Sequence, residues 1–384
     1  MQQRIIAHFD LDAFFVNVAL LTQPQYRGQP IIIGGSSTRG VVSTCSYEAR
    51  AFGVTSGMPM VQATRLCPQA ILLNAGHGEY GKYSKLVTDI IAAHAPLFEK
   101  ASVDEFYLDL TGMDTYYDVL QWTINLRQLI ITETKLPISF GLASNKMVAK
   151  IATDIAKPNG YLQVQYGMER AFLAPLSVNK IGGVGASTYA SLQAMGIHTI
   201  GDITKYSVEQ LEEKLGKHGT SLWHKAHGTH LRAVTPYHEA KSISSETTFA
   251  TDTCDVTFLQ QQLIRLTEKV LHELRADDKM ATSLTLKLRY KGFETTSKQV
   301  TITATWHDHD VIPQIKLLLT QLYRKGELVR LIGVKVSNLV LPVQQTNLFV
   351  NNQKLNNLYK AIDGVKDTFG KKILQRAGGK APNN

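Results

Sequence analysis

Arg4-Ile5-Ile6-Ala7-His8-Phe9-Asp10-Leu11-Asp12 is an apolar run that ends in carboxylates. A second run of the same design, Ala101-Ser102-Val103-Asp104-Glu105-Phe106-Tyr107-Leu108-Asp109, lies far along the chain. Residues 4–9 read as a buried strand, and a carboxylate at the end of such a strand is costly unless a cation neutralises it. Asp10, Asp104 and Glu105 brought together make a concentrated negative site of hard oxygen ligands, which suits Mg²⁺. Two-metal phosphoryl or nucleotidyl transfer requires a site of that kind. Taken singly, Asp10 reads as a helix cap and Asp104 as a turn residue; it is the whole string 102–109 that asks for a cation.

Working outward, residues 12–21 read as a helix with Asp12 near its start. Ile31–Ile33 and Val41–Thr44 read as short strands, and Tyr47–Phe52 as a brief helix stopped by Gly53. Helices are expected over 80–94 and 115–134, a strand over 137–142, and a helix over Asn145–Ala156 ended by Pro158 and Gly160. Residues 175–230 are mostly helical, broken by Gly182-Gly183-Val184-Gly185 and Met195-Gly196-Ile197. A Pro236-containing linker follows.

The next hundred or so residues give an order directly. Strand 242–249 precedes a helix with Leu259, Leu263, Leu266, Val270 and Leu274 at three/four spacing. Strands 283–291 and 298–305 follow, then a helix with Asp310 as N-cap and Pro313 in its first turn. Strand 331–340 closes a β-α-β-β-α-β unit. In it Leu284, Leu286, Leu288 and Tyr290 share one face, while Thr285, Lys287, Arg289 and Lys291 share the other. Strand 331–340 turns Ile332, Val334 and Val336 inward and Lys335 outward. Helices cover one face, so the other is either a basic surface ready for phosphates or a solvated strand face.

At 384 residues the chain exceeds one ordinary core, and two to four structural units are expected. Hydrophobic content of 44% and charged content of 19% fit a folded protein. The net charge of +9 is skewed, with +3 in residues 241–341 and +5 in 342–384, which favours polyanionic partners. Cys45, Cys67 and Cys254 are odd in number and lack metal-ligand spacing, as suits a reducing cytosol. His8, Asp10 and Asp12 interrupt any secretion signal. No run approaches the roughly 20 apolar residues of a membrane span, so a cytoplasmic protein is expected. His224, His227 and His230 have no carboxylate or cysteine partner nearby and read as surface histidines. Trp306-His307-Asp308-His309-Asp310 reads as a turn leading into a capped helix.

Several ordered motifs together resemble the Y-family, translesion DNA polymerases, in their bacterial polymerase IV type. They are Asp10-Leu11-Asp12-Ala13-Phe14-Phe15, Ser43-Thr44-Cys45-Ser46-Tyr47-Glu48-Ala49-Arg50, Ser102-Val103-Asp104-Glu105, Gly141-Leu142-Ala143-Ser144-Asn145-Lys146 and Ala156-Lys157-Pro158-Asn159-Gly160. The resemblance covers about residues 4–342. It implies an α+β right-hand polymerase with a palm (1–10 and 76–165), small fingers (11–75) and a helical thumb (166–231). A linker (232–241), a β-α-β-β-α-β little finger (242–341) and a tail (342–384) follow.

The resemblance also implies the site. Asp10, Asp104, Glu105 and the Leu11 carbonyl would bind two Mg²⁺ ions. Thr44, Tyr47, Arg50 and Lys157 would hold the incoming dNTP triphosphate, in keeping with the donors that Arg, Lys and hydroxyls offer to phosphate. Phe15 matches the steric gate against a ribose 2′-hydroxyl, its alternative being a core aromatic. Val41 and Ser43 would roof the nascent base pair. Gly183 and Gly185 look like a helix-hairpin-helix phosphate site, or a bare glycine turn. With Lys287, Arg289, Lys291 and Lys335 they would contact primer–template DNA. Gln345-Thr346-Asn347-Leu348-Phe349 resembles a sliding-clamp motif anchored by Gln345, Leu348 and Phe349. The implied function is low-fidelity translesion synthesis by a monomer without proofreading.

The pattern departs from the family at Cys45-Ser46, where Ala-Asn is frequent, and at Ala13. Two alternatives stand beside the polymerase: a non-catalytic, clamp-docked DNA-binding subunit, and a palm-type nucleotide cyclase. The cyclase explains neither the basic sheet nor the clamp-like tail.

Overall fold

The computed structural model describes residues 3–35, 39–74, 77–229, 232–236, 239–342, 352–370, 373–374 and 376–379. The chain forms two compact units, Met1–His238 and Glu239–Asn384. The first opens with β1 (Ile6–Leu11) and α1 (Phe14–Thr22), then β2 (Ile31–Gly34), β3 (Val42–Cys45), α2 (Tyr47–Arg50), α3 (Met60–Leu66) and β4 (Ile71–Asn74). It continues through α4 (His77–His94), β5 (Phe98–Lys100), β6 (Glu105–Asp109), α5 (Val119–Thr134), β7 (Ile138–Ala143), α6 (Lys146–Ala156) and β8 (Tyr161–Gln163). Five short helices end it: α7 (Glu169–Leu173), α8 (Ala186–Ala194), α9 (Ile200–Ile203), α10 (Val208–Leu215) and α11 (Lys217–Ala226).

The main sheet has the order β5-β6-β1-β7-β8, with β1 antiparallel to both of its neighbours. Strand side chains alternate, so Ala7, Phe9 and Leu11 fall on one face. They pack with Phe106, Leu108 and Phe140 against Val87 and Ile91 of α4 and Leu126 and Ile130 of α5. Phe9, Phe106 and Phe140 are fully buried, each worth roughly 1.5–3 kcal/mol of apolar transfer. The opposite face carries Ile6, His8 and Asp10 toward α6. That helix begins where the Asn145 side chain accepts from the Val148 amide at 3.1 Å. It lies so close to β7 that a Cβ on Gly141 would sit 2.1 Å from the Ala149 carbonyl oxygen. A second, smaller sheet runs β3-β2-β4. The five short helices close around Leu173, Ile181, Leu192, Ile200, Leu211 and Leu222.

The second unit contains β9 (Ser242–Thr253), α12 (Val256–Ala276), β10 (Met280–Tyr290), β11 (Thr295–Thr305), α13 (Asp308–Leu322) and β12 (Val329–Val340). This is the expected β-α-β-β-α-β order, folded as a sheet β11-β10-β12-β9. Leu284, Leu286 and Leu288 join Ile332, Val334 and Val336 beneath Leu263 and Val270 of α12 and Ile315 and Leu319 of α13.

Three expectations need correction. Helix α5 begins at Val119 rather than 115, because the Asp118 carboxylate accepts from the Gln121 amide at 3.1 Å and caps it there. Helix α13 starts before Asp310, with His307 at the N-cap and Pro313 inside the helix. Asp308 draws the start forward: it is buried and pairs with Arg275 at 3.0 Å. Strand β10 ends at Tyr290 after a register shift, so Lys291 sits beyond the strand rather than on its open face. In the tail, where Leu355, Leu358, Ile362 and Phe369 give a weak helical spacing, α14 (Asn352–Phe369) forms as part of the second unit. Its buried Tyr359 and Lys366 and its Asp363, held by Arg275 at 2.6 Å, give it a largely polar inner face. Such a face leaves only a weak apolar periodicity.

Candidate active site

The register of β1 against β6 sets Asp10 directly opposite Glu105 and His8 opposite Tyr107. Directly opposed residues share a face, so the two carboxylates meet over the side of the sheet that α6 covers. Ligand atoms of His8, Asp10 and Glu105 lie within 4.8 Å of one another. Lys157, just past α6, places its ammonium 2.6 Å from Asp10 Oδ2. Lys150, on α6, places its own 2.7 Å from Glu105 Oε2. His8 is fully buried; its Nδ1 lies 2.8 Å from Thr153 Oγ1 and its Nε2 3.4 Å from Glu105 Oε2.

Asp104 stands just before β6 and is not part of that tight group. Its carboxylate accepts from Ser102 Oγ at 2.5 Å, and its carbonyl accepts from the Leu11 amide at 3.1 Å. The sequence-derived trio is thus gathered at one end of β1 and β6, with two carboxylates in close register and the third bonded to Ser102.

The two close carboxylates titrate in opposite directions. Burial pushes Asp10 up to about 7; Lys157 opposes the rise, while the like charges of Glu105 and Asp104 add to it. A hydrogen bond from His8 and the pairing with Lys150 draw Glu105 down to about 2, against the effect of burial. Burial also holds the His8 imidazole below its usual range, so it is neutral at pH 7. A buried carboxylate this reluctant to ionise is one that a further cation would stabilise.

Asp12 stands just before α1, as read from sequence, and is also a buried hub. It accepts from Ser139 Oγ at 2.9 Å, the Asn159 amide at 2.7 Å and the Tyr47 hydroxyl at 3.3 Å. The last of these ties α2 to the main sheet. Ser46, one of the departures from the family pattern, caps α2: its Oγ accepts from the Ala49 amide at 3.3 Å and the Ile31 amide at 3.0 Å. Arg50 lies over the Tyr47 ring at 4.7 Å and is exposed, as are Val41 and Ser43; Thr44 is half-buried. Ala13, between Asp12 and α1, adopts a left-handed φ of 39°. Phe15 stacks on Tyr80 of α4, with centroids 4.0 Å apart and planes 15° apart. His8, Lys150 and Tyr80 are contributors that no sequence pattern singled out.

In the helical part of the first unit, Gly183 has a φ of 99°, open to glycine at little cost. Gly185 is the N-cap of α8 and makes no side-chain cap. Lys225 of α11 donates to the Gly182 carbonyl at 2.7 Å, so a cation underlies this turn. In the second unit the uncovered sheet face carries Thr285, Lys287 and Arg289 of β10, Lys335 of β12, and Ser297 and Gln299 of β11. It is less basic than expected. Both carboxylate oxygens of Glu246 lie 2.9 Å from the Lys287 ammonium, and the pair spans Gly333, where a Cβ would meet Glu246 Cγ at 2.8 Å. Arg289 Nε donates to Thr295 Oγ1 at 2.8 Å, and Lys335 is exposed. Gln345, Leu348 and Phe349 lie outside the described residues. Among the described residues no helix is long and apolar enough to cross a membrane.

Residues 9–154 match the impB/mucB/samB family, 240–348 match the C-terminal domain of the same family, and 179–229 match the thumb domain of DNA polymerase-iota. The DNA polymerase IV of Dehalococcoides mccartyi is 37% identical over 374 residues, 96% of this chain and 96% of that protein. A Y-family DNA polymerase chimera of Dbh and Dpo4 superposes with a TM-score of 0.79 and 27% identity, covering 88% of this chain and 100% of the chimera. An insertion ternary complex of Dbh DNA polymerase superposes with a TM-score of 0.63 and 26% identity over the same shares. With such likeness across nearly its whole length, this chain belongs to the impB/mucB/samB family, the Y-family DNA polymerases, in their DNA polymerase IV branch.

Proposed function

We propose that this DNA polymerase copies damaged templates with low fidelity and without proofreading, and that Asp10, Glu105, Asp104 and the Leu11 carbonyl hold two Mg²⁺ ions. The supporting observation is the opposed pair Asp10 and Glu105, with Asp10 buried, pushed up to about 7 and leaning on Lys157. The donors are hard oxygens, as magnesium requires, and the Lys157 ammonium 2.6 Å from Asp10 Oδ2 supports a place for positive charge beside them. When bound, two such ions activate the primer 3′-hydroxyl and offset charge on the triphosphate and departing pyrophosphate.

The chain's own residues do the positioning. His8, braced by Thr153, and Lys150 fix the Glu105 carboxylate. Lys157 neutralises Asp10 in the substrate-free protein, and its flexible stem allows the ammonium to turn to a phosphate oxygen. Arg50 offers a fork of donors beside the hydroxyls of Tyr47 and Thr44, and Asp12 keeps Tyr47 in place. Primer–template DNA would lie on the Gly183–Gly185 turn and on Arg289, Lys335 and the hydroxyl-rich sheet face. The related Dbh DNA polymerase forms an insertion ternary complex, which supports DNA and nucleotide as joint substrates here. A primed template with dNTPs and Mg²⁺ tests the reading: a clamp-docked scaffold would leave the primer at its starting length.

Phe15 is proposed as the sugar gate, with Tyr80 stacked behind its ring. Phe15→Ala is expected to reduce discrimination against ribonucleotides by roughly 10²-fold, read as the ratio of ribonucleotide to deoxynucleotide incorporation. An unchanged ratio would remove Phe15 from this role. Leu348 and Phe349 are proposed as apolar anchors on a sliding clamp. Leu348→Ala/Phe349→Ala should weaken clamp binding by about 2 kcal/mol or more while clamp-free extension stays intact. Undiminished capture on immobilised clamp would exclude the motif.

A further inference from the structure

The geometry points to a second metal site, for a divalent transition ion such as zinc, formed by His307, His309 and Asp310 at the joint between α13 and α14. The ligand atoms of these three residues lie within 4.8 Å of one another. The Asp310 carboxylate straddles the two rings, with Oδ2 3.5 Å from His307 Nδ1 and Oδ1 3.4 Å from His309 Nε2. Charge-assisted hydrogen bonds close to roughly 2.7–2.9 Å, so neither spacing is that of a tight ion pair. An ion with bonds of about 2.0–2.1 Å holds neighbouring ligands about 3.3 Å apart, near each spacing; because the spacings run to different oxygens of one carboxylate, Asp310 would present both oxygens to the ion.

Each of the three side chains is also held from behind, as metal ligands are. His307 Nε2 lies 2.9 Å from Asn356 Oδ1, and His309 Nδ1 lies 2.9 Å from Tyr359 Oη. Thr305 Oγ1 donates to Asp310 Oδ2 at 2.6 Å. The two imidazoles lie with centroids 5.1 Å apart and planes 17° apart, and one nitrogen of each is within 3.5 Å of the Asp310 carboxylate. His307 is buried, while His309 and Asp310 are partly exposed, leaving an entry path and room for a water ligand. The neighbouring guanidinium of Arg275 is engaged by Asp308 and Asp363, and Arg376 donates to Tyr359 Oη at 3.1 Å. Two imidazoles and one carboxylate select zinc, nickel or cobalt over magnesium. Because Asn356 and Tyr359 come from α14, an ion here would pin that helix against the start of α13.

The test is equilibrium dialysis of the untagged full chain against zinc in excess Mg²⁺. The group His8, Asp10 and Glu105 offers zinc a competing site, so every protein carries Asp10→Asn. The expected result is one tightly held zinc ion per chain, lost in His309→Ala and in Asp310→Asn, and held about tenfold more weakly in Asn356→Ala. Zinc should also slow amide exchange across α14 in the parent and not in His309→Ala. Circular dichroism checks that each variant folds; were His309→Ala to unfold, the half-exposed Asp310→Asn would decide the matter. Equal zinc content in parent and folded variants, or exchange in α14 indifferent to zinc, would overturn the proposal.

Discussion

Asp10→Asn is expected to abolish primer extension, by at least ~10³-fold, and at the same time to make the folded protein more stable at neutral pH. Both effects come from one carboxylate. Asp10 is 5% exposed and faces Glu105 across β1 and β6. Its ionised form serves a cation brought by the substrate complex, and without that cation its burial costs more than the Lys157 contact returns. The amide keeps the shape and removes the charge.

The sign of the stability effect follows from linkage. Folding raises the Asp10 pKa from 3.8 to about 7. Below the lower value both folded and unfolded chains hold the proton, and the substitution changes little. Between the two values the unfolded chain ionises while the folded one does not, so the wild-type protein loses stability as pH rises. Above about 7 that loss is complete. At about 1.4 kcal/mol per pKa unit its ceiling is about 4 kcal/mol, a figure from which the Lys157 contact is already subtracted. Thermal melts should therefore show Asp10→Asn ahead of wild type by a few degrees at pH 8 and level with it at pH 4. Added Mg²⁺ should narrow the gap by raising the wild-type melting temperature. A gap independent of pH, or a variant that still extends primers, would refute the assignment.

Much of this was legible in the chain because strands alternate and acidic residues are anomalous at their ends. The β-α-β-β-α-β order of the second unit followed from Leu284, Leu286 and Leu288 and from the helix periodicity that begins at Leu259. The pairing of Asp10 with Glu105 was expected, but register fixed it. What sequence could not supply were partners chosen by three-dimensional proximity. His8 reads as an interruption in an apolar run, yet it braces Glu105. Lys287 reads as a DNA contact, yet Glu246 reaches it over Gly333 from two strands away. Helix α14 shows only faintly in the sequence for a related reason: Asn356, Asp363 and Lys366 on its inner side are polar, so the spacing of Leu355, Leu358 and Ile362 is a weak signal.

Gly141→Ala is the second large effect, and it tests how tightly α6 must sit to serve the site. The added Cβ would fall 2.1 Å from the Ala149 carbonyl oxygen, 2.6 Å from the Thr153 amide nitrogen and 2.8 Å from Ala152 Cβ. Two of these are backbone atoms of α6, so no rotamer change relieves the contact and the helix itself must retreat. Overpacking of a buried layer costs roughly 1–3 kcal/mol and occasionally more; a rigid clash of this depth belongs at the upper end, near 3 kcal/mol. The melting temperature should fall by about 6–12 °C. The retreat would also carry Lys150 from its 2.7 Å contact with Glu105 and Thr153 from its 2.8 Å contact with His8. Extension should therefore slow even at temperatures where the variant is fully folded. Gly81→Ala is the control: it lies in α4 with nothing within 4 Å of an added Cβ, and it should gain up to about 1 kcal/mol from helix propensity. Were Gly141→Ala to melt and extend like wild type, close packing of α6 on β7 would not be what holds Glu105 in place.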